Sequence, residues 1–169
     1  RNNGDGTFTD VSAASGLRDE SWSLSAPWFD YDGDGDLDVY VVNYLEYDKG
    51  EFQRSGAYYQ AENYPGPLAY PGQADRLYRN DGNGEFTDVT MEAGVEYPNG
   101  RAMSAIAFDI DNDNDTDVFV TNDAMSNTLW INNGEGRFEE RALEFGVAFG
   151  EGGQGASSMG PVVGDVDRD

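Results

Sequence analysis

The sequence predicts an all-β protein built from repeated units of short antiparallel strands. The chain of 169 residues contains 22 glycines, and 13% of its residues are aromatic. Short apolar runs between glycine-rich turns are typical of β-sheets with many tight turns. Three stretches also repeat along the chain: RNNGDGTFTDVSAASGL at 1–17, RNDGNGEFTDVTMEAGV at 79–95 and INNGEGRFEERALEFGV at 131–147.

Each repeat begins with a glycine-rich hairpin and continues into a short strand and a turn of small residues. The strands are led by Phe8, Phe86 and Phe138, and the turns end at Gly16, Gly94 and Gly146. An apolar strand, a run of aspartates and two more strands then lead to the next hairpin. Four short antiparallel strands per unit are typical of one blade of a β-propeller.

Two runs of alternating aspartates lie between the first and second strands of these units, in FDYDGDGDLDVYVVN at 29–43 and FDIDNDNDTDVFVTN at 108–122. Their carboxylates are those of Asp30, Asp32, Asp34, Asp36 and Asp38, and of Asp109, Asp111, Asp113, Asp115 and Asp117. Close carboxylates repel one another by about 1 kcal/mol per pair in water, so an ordered turn needs a cation. Ca²⁺ fits best because it accepts six to eight oxygens in loose geometry.

The opening of each run also has the spacing of an EF-hand. An EF-hand needs a bidentate glutamate at position 12 and a following helix, whereas position 12 is Val41 or Val120 and strand-forming residues follow. We therefore predict calcium loops between strands, with side-chain ligands at positions 1, 3, 5 and 9 and a backbone ligand at position 7. Position 6, Gly35 or Asn114, is expected to adopt a left-handed conformation. The alternative is a solvated acidic run without a metal.

The expected organisation is a partial propeller. Residues 1–24 would supply the last strand and turn of a preceding blade, 25–103 one blade, 104–157 a second blade, and 158–169 the start of a third. The third unit stops within its metal loop, at Asp165, Asp167 and Asp169. Exposed strand edges at both ends would be completed by further blades of a longer chain or by neighbouring copies joined head to tail.

An insertion at 44–74 distinguishes the first blade from the second. It is rich in tyrosine and proline, and its candidate ligand-binding residues are Tyr58, Tyr59, Tyr64 and Tyr70. A tyrosine-rich loop could bind a glycan or a protein partner. The alternative is that these rings cap the blade and seal the fold.

The composition excludes several classes of function. A net charge of −23 with a single lysine argues against nucleic acid or an anionic membrane as a partner. The sequence shows no signal peptide or transmembrane span, and it opens on Arg1 without an initiator methionine, so a signal could have been cleaved or lie outside this segment. Low-affinity calcium loops belong where Ca²⁺ is millimolar, which predicts an extracellular or cell-surface location.

The sequence also argues against an enzyme. It has neither histidine nor cysteine, so the usual pairs of nucleophile and base are missing. A carboxylate that holds Ca²⁺ stays ionised and is a poor general acid. The alternative is part of a calcium-dependent polysaccharide lyase, with a basic group among Lys49, Arg54, Arg76 and Arg101.

The aspartate loops with their flanking strands resemble the FG-GAP repeats, also called VCBS repeats, of integrin α subunits and bacterial secreted proteins. The stretch YPGQADRLYRNDGNGEFTDVTMEAGV resembles the subgroup related to cartilage acidic protein and the ASPIC/UnbV proteins. The literal Phe-Gly-Gly-Ala-Pro string is absent. The resemblance implies a propeller with Ca²⁺ in the loop between the first and second strands of each blade. We expect an extracellular calcium-binding module for adhesion or ligand binding, or alternatively a structural subunit of a filament.

Overall fold

The computed structural model describes residues 1–47 and 66–166, and the predicted all-β class is confirmed. The first sheet contains β1 (Ser23–Ser25), β2 (Trp28–Phe29), β3 (Asp38–Asn43), β4 (Arg76–Asn80) and β5 (Phe86–Asp88). Strands β1 and β2 both pair with β3, which pairs with β4, and β4 with β5, all antiparallel. The edge strand beside β3 is divided into β1 and β2 at Pro27, because proline has no N–H to donate to a neighbouring strand. The Pro27 carbonyl still accepts a 3.1 Å hydrogen bond from the Tyr40 N–H.

The second sheet has an uninterrupted first strand. It contains β6 (Ala102–Phe108), β7 (Asp117–Asn122), β8 (Thr128–Asn132) and β9 (Phe138–Glu140), paired in that order and antiparallel. The two sheets share a register, since Tyr40 lies opposite Leu77 and Phe119 lies opposite Leu129. With β1 and β2 counted as one interrupted strand, each sheet is a four-stranded propeller blade, and we call them blade one and blade two.

Two of the three turns of small residues are single helical turns. Helices α1 (Ser12–Ser15) and α2 (Thr90–Ala93) end at Gly16 and Gly94, whose φ angles are 82° and 80°. Glycine is favoured there because a left-handed residue closes the helix without a Cβ clash. A 3₁₀ turn (Pro67–Ala69) precedes β4.

The two ends of the chain contain less strand than predicted. Phe8 forms only an isolated bridge with Asn2 instead of leading a strand, and residues 158–164 form no strand. The Phe8 segment is bonded to residues 1–3 through one bridge, and the Ser158 N–H donates a 3.2 Å bond to the Asn122 carbonyl, but a strand needs a continuous run of such pairs with a neighbour. The blade boundaries given above stay a prediction.

The main hydrophobic core lies between the two blades. Alternate residues of β3, Tyr40 and Val42, face it together with Leu77, and blade two contributes Val118 and Trp130. The neighbours of Trp130 in β8, Leu129 and Ile131, belong to a second cluster on the opposite face of blade two. This alternation follows from the two-residue period of a strand.

Candidate metal centres

The first candidate centre lies in the loop that joins β2 to β3. Oxygen atoms of Asp30, Asp32 and Asp38 all lie within 4.8 Å of one another. Asp30 organises the turn, because its Oδ1 accepts a 2.8 Å hydrogen bond from the Gly33 N–H and its Oδ2 a 2.9 Å bond from the Gly35 N–H. One end of the loop is therefore folded around the first carboxylate.

The second candidate centre repeats this geometry between β6 and β7. Asp109, Asp111 and Asp117 again bring carboxylate oxygens within 4.8 Å of one another. Asp109 accepts hydrogen bonds from the N–H groups of Asn112 at 2.7 Å and Asn114 at 3.0 Å. Two loops of different sequence therefore fold to the same arrangement.

The last carboxylate of each group is buried at the start of a strand. Asp38 and Asp117 are both fully buried. Asp38 accepts hydrogen bonds from the Tyr31 N–H at 2.9 Å and from the Asn80 N–H at 2.7 Å. Asp117 makes the equivalent bonds, at 2.9 Å and 2.8 Å, with residues 110 and 132. Each buried carboxylate thus joins the aspartate loop to the end of the third strand of its blade.

Burial and nearby negative charge raise the pKa values of these carboxyl groups. Burial raises the pKa of Asp38 to about 6, although its two backbone hydrogen bonds oppose the shift, and Asp32 adds to it. Burial also raises the pKa of Asp117, with contributions from Asp111 and Asp113. The same two causes raise the pKa of Asp32, where burial acts together with Asp34. A bound cation would reverse these shifts because it favours the ionised form.

The donor set fits Ca²⁺. Oxygens bound at 2.3–2.6 Å on opposite sides of Ca²⁺ lie about 5 Å apart, and the three carboxylates of each loop fall within such a sphere. Mg²⁺ binds at about 2.0–2.1 Å with strict octahedral geometry, which is a poorer match to a flexible loop. If a metal is present, Asp30, Asp32 and Asp38 would hold it in blade one, and Asp109, Asp111 and Asp117 in blade two.

The remaining predicted ligands lie outside these two groups. Asp34 Oδ1 accepts a 2.8 Å hydrogen bond from the Asp36 N–H, and Asp113 Oδ1 a 2.9 Å bond from the Asp115 N–H. The position 5 carboxylates therefore stabilise the turn that leads to the position 7 residue. Asp165 is exposed, whereas Asp167 and Asp169 lie outside the described residues. The predicted ligand roles of these residues stay predictions.

Two features of the loops were missed by sequence reasoning. Position 4 is left-handed as well as position 6, with φ angles of 76° at Gly33 and 63° at Asn112. The third strands also end in Asn80 and Asn132, whose N–H groups bind the buried aspartates and whose Nδ2 atoms donate to Leu37 and Thr116 carbonyls at 3.1 and 3.3 Å. The sequence contains an indication of each feature. Positions 4 and 6 have the same residue type within each loop, which indicates that both are left-handed, and an asparagine precedes every hairpin.

The tyrosine-rich insertion is described only at its two ends. Tyr58, Tyr59 and Tyr64 lie outside the described residues. Tyr70 packs against Tyr47 with ring centroids 5.5 Å apart, and its carbonyl accepts a 2.7 Å hydrogen bond from Arg101 Nη2. The Tyr44 hydroxyl donates a 2.6 Å hydrogen bond to Asp123 of blade two. The described ends of the insertion thus link the two blades.

Comparison with protein families places these loops in a known repeat. A model described as FG-GAP-like repeat matches residues 1–41, 68–120 and 109–169. The chain belongs to the FG-GAP-like repeat family. No curated protein matches the chain.

FG-GAP-like repeats build β-propeller modules that commonly bind ligands or act in adhesion, and they are generally not enzymes. Proteins that contain them are commonly extracellular or attached to the cell surface. In this chain the first two FG-GAP-like matches each contain one complete aspartate loop, and the third reaches the aspartates near the end. No helix within the described residues has the length and apolar character needed to cross a membrane.

The basic candidates for lyase chemistry that the structure describes are in structural contacts. Arg76 forms a 3.5 Å ion pair with Asp88. The Arg101 guanidinium donates hydrogen bonds to the carbonyls of Pro67 at 3.0 Å and Tyr70 at 2.7 Å. Lys49 and Arg54 lie outside the described residues. No observation in the described part of the chain therefore favours the lyase alternative.

Proposed function

We propose that the chain is a calcium-stabilised propeller module of an extracellular protein, used for adhesion or ligand binding. The observation that carries this proposal is the construction of the two loops, which group a first, a third and a fully buried ninth carboxylate in the same way. We also propose that this module belongs to the subgroup of FG-GAP repeats that resembles cartilage acidic protein and the ASPIC/UnbV proteins.

Calcium would act on the stability of the fold. Without a cation, the grouped carboxylates repel one another and the pKa of Asp38 is raised to about 6. Ca²⁺ relieves this repulsion only when the loop is folded, so its binding free energy adds to the free energy of unfolding. A site occupied at a concentration 100 times its Kd adds about 2.7 kcal/mol.

Thermal unfolding with and without millimolar Ca²⁺ tests this proposal. We expect chelation to lower the Tm of the protein. Asp30→Asn retains a side-chain acceptor for the turn but removes a charged ligand, so it should lose about half of the calcium-dependent increase in Tm. Asp30→Asn combined with Asp109→Asn should lose most of it.

The matched control is Glu92→Gln, which removes an exposed carboxylate of α2 outside both loops. This control should retain the full response to calcium. A wild-type Tm that is the same in millimolar Ca²⁺ and in chelator would refute the proposal. An equal loss of response in Asp30→Asn and Glu92→Gln would show that general charge reduction, and not a metal site, is responsible.

A structural role in a filament is the second candidate, and one observation favours it. Apolar side chains are exposed in the segment predicted to begin a third blade, with Val162 93% exposed and Val166 95% exposed. Burial of such residues against a neighbouring copy would be favourable. Electron microscopy in millimolar Ca²⁺ should then show filaments that dissociate after chelation, whereas discrete particles would exclude this role.

A further inference from the structure

A groove of mixed aromatic and polar character lies on blade one. Its first cavity has a volume of about 430 Å³ and is lined by Glu20, Ser21, Trp22, Leu45, Tyr47 and Gln73. A second cavity of about 420 Å³ shares Glu20, Ser21 and Gln73 with the first. The two cavities are therefore adjacent, and each has a volume typical of small-molecule sites.

The groove is separate from the metal loops. Trp22 immediately precedes β1, Leu45 lies just beyond the end of β3, and Gln73 precedes β4. The metal loop lies at the other end of β3, roughly 17 Å away for a strand of this length. A ligand in the groove would therefore not contact the candidate calcium site of blade one.

The aromatic wall of the groove is both exposed and held in place. Trp22 and Tyr47 are 46% and 48% exposed, and their ring centroids lie 5.7 Å apart. The Trp22 ring also contacts the edge of Tyr44 at 5.7 Å. The backbone N–H of Trp22 donates a 2.8 Å hydrogen bond to Gln73 Oε1. Rings fixed in this way lose little entropy when a ligand binds.

The charges of the groove are largely paired. Glu20 forms a 2.6 Å ion pair with Arg18, and in the second cavity Arg76 pairs with Asp88. Asp19 accepts a 2.8 Å hydrogen bond from the Ser21 N–H. The described residues that line the groove thus offer no unpaired cation to an anionic ligand, and the net charge of −23 repels anions further.

We propose that this groove binds a neutral oligosaccharide. The apolar face of one sugar ring would stack on Trp22, because amphipathic aromatic rings offer a large apolar surface, and the Tyr47 ring, inclined at 65° to Trp22, would flank it. Its hydroxyl groups would bind Glu20, Ser21 and Gln73, which offer both donors and acceptors. The second cavity provides room for a following sugar ring. This inference rests on the proposed binding function and names the class of ligand that the module would bind.

Calorimetric titration in millimolar Ca²⁺ with cello-, chito- and manno-oligosaccharides of three to four rings tests the inference. At least one of these neutral series should bind, and an oligogalacturonate of equal length should not. Trp22→Ala should weaken binding at least tenfold. The matched control is Trp28→Ala, because Trp28 is 51% exposed but belongs to β2 and lies outside the groove. It should leave affinity within about twofold.

The inference is overturned if none of the neutral series binds, if the uronate binds more tightly, or if the two tryptophan variants lose affinity equally. A protein partner that Trp22→Ala no longer retains, and that no neutral oligosaccharide displaces, would also overturn it. The calcium-dependent Tm is measured on the same samples. A calcium response without sugar binding refutes only this inference, whereas sugar binding without a calcium response refutes only the calcium proposal.

Discussion

Substitution of Asp75 by asparagine tests the polar network between the blades. Asp75 is 5% exposed, and its Oδ1 accepts a 2.8 Å hydrogen bond from the Asn43 N–H. Its Oδ2 accepts a 2.9 Å bond from the Tyr40 hydroxyl, whose oxygen in turn accepts a 3.1 Å bond from Trp130 Nε1 of blade two. Asp75 is therefore part of a chain of hydrogen bonds that crosses the interface.

The protonation of Asp75 couples this network to pH. Burial raises the pKa of Asp75 from 3.8 to about 7, opposed by its hydrogen bonds from Asn43 and Tyr40 and assisted by Asp19. The pKa of Asp75 is higher in the folded than in the unfolded protein. The contribution of protonated Asp75 to the free energy of unfolding is therefore complete below about pH 4 and is lost as the pH rises to about 7. The difference between the two pKa values of Asp75 corresponds to a change of roughly 4 kcal/mol in the free energy of unfolding.

Blade two shows that asparagine fits this position. Asn127 precedes Leu129 by two residues, as Asp75 precedes Leu77, and Leu129 and Leu77 occupy equivalent positions in the register. Asn127 Oδ1 accepts a 3.1 Å hydrogen bond from the Asn122 N–H, just as Asp75 accepts one from Asn43. We therefore expect Asp75→Asn to fold and to keep this contact.

Urea unfolding from pH 4.5 to pH 8, in chelator and followed by tryptophan fluorescence, provides the measurement. The free energy of unfolding of Asp75→Asn relative to the wild type should increase with pH, by about 3 kcal/mol over this range, because the range begins above the unfolded pKa of 3.8. The loop aspartates titrate in both proteins and cancel from the difference. Glu92→Gln is again the control and should follow the wild type. Parallel pH profiles for Asp75→Asn and the wild type would refute a titrating Asp75.

Two further predictions concern Asn122 and Asp38. The buried Asn122 Oδ1 has no hydrogen-bond partner among the described residues, whereas the equivalent oxygen of Asn43 accepts a 2.7 Å bond from the Ser23 hydroxyl. Ala102 occupies the position of Ser23, so Ala102→Ser should raise the free energy of unfolding by about 1 kcal/mol. A lower free energy of unfolding, measured with urea, would show that the hydroxyl does not fit. Since the pKa of Asp38 is about 6 without metal, calcium affinity in blade one should fall about tenfold per pH unit below that value; an affinity that stays constant from pH 7 to pH 5 would contradict this.

The sequence was informative where the repeats agree with one another. The aspartate run fixes its own turn through local hydrogen bonds, as from Asp30 to Gly33 and Gly35, so spacing alone predicted a loop between two strands. The strands on both sides alternate between faces, and the hairpins carry glycines at left-handed positions such as Gly82 and Gly84. These features depend on residues close in sequence, and a single chain contains that information.

Contacts between elements distant in sequence could not be predicted in this way. The Trp22 groove brings the segment before β1 together with the two ends of the insertion, and its Gln73 contact spans 51 residues. The hydrogen bond from Tyr44 to Asp123 spans 79 residues. Neither periodicity nor a motif indicates which side chains meet across such distances, because the partners depend on how the blades pack.

Comparison of the two blades nevertheless reveals one coupled pair. Tyr40 and Asp75 of blade one correspond to Phe119 and Asn127 of blade two, so the hydroxyl and the carboxylate are present together or absent together. Tyr40 faces Trp130, whereas Phe119 packs in the cluster on the other face of blade two. Changing Tyr40 to phenylalanine along with Asp75→Asn would copy the blade-two pair but remove the acceptor of the Trp130 indole N–H. A buried donor left without an acceptor costs about 1–3 kcal/mol. The double substitution leaves the Trp130 indole N–H in that state. Asp75→Asn alone replaces the Oδ2 that accepts from the Tyr40 hydroxyl with an NH2 donor, so it should carry a pH-independent cost of similar size.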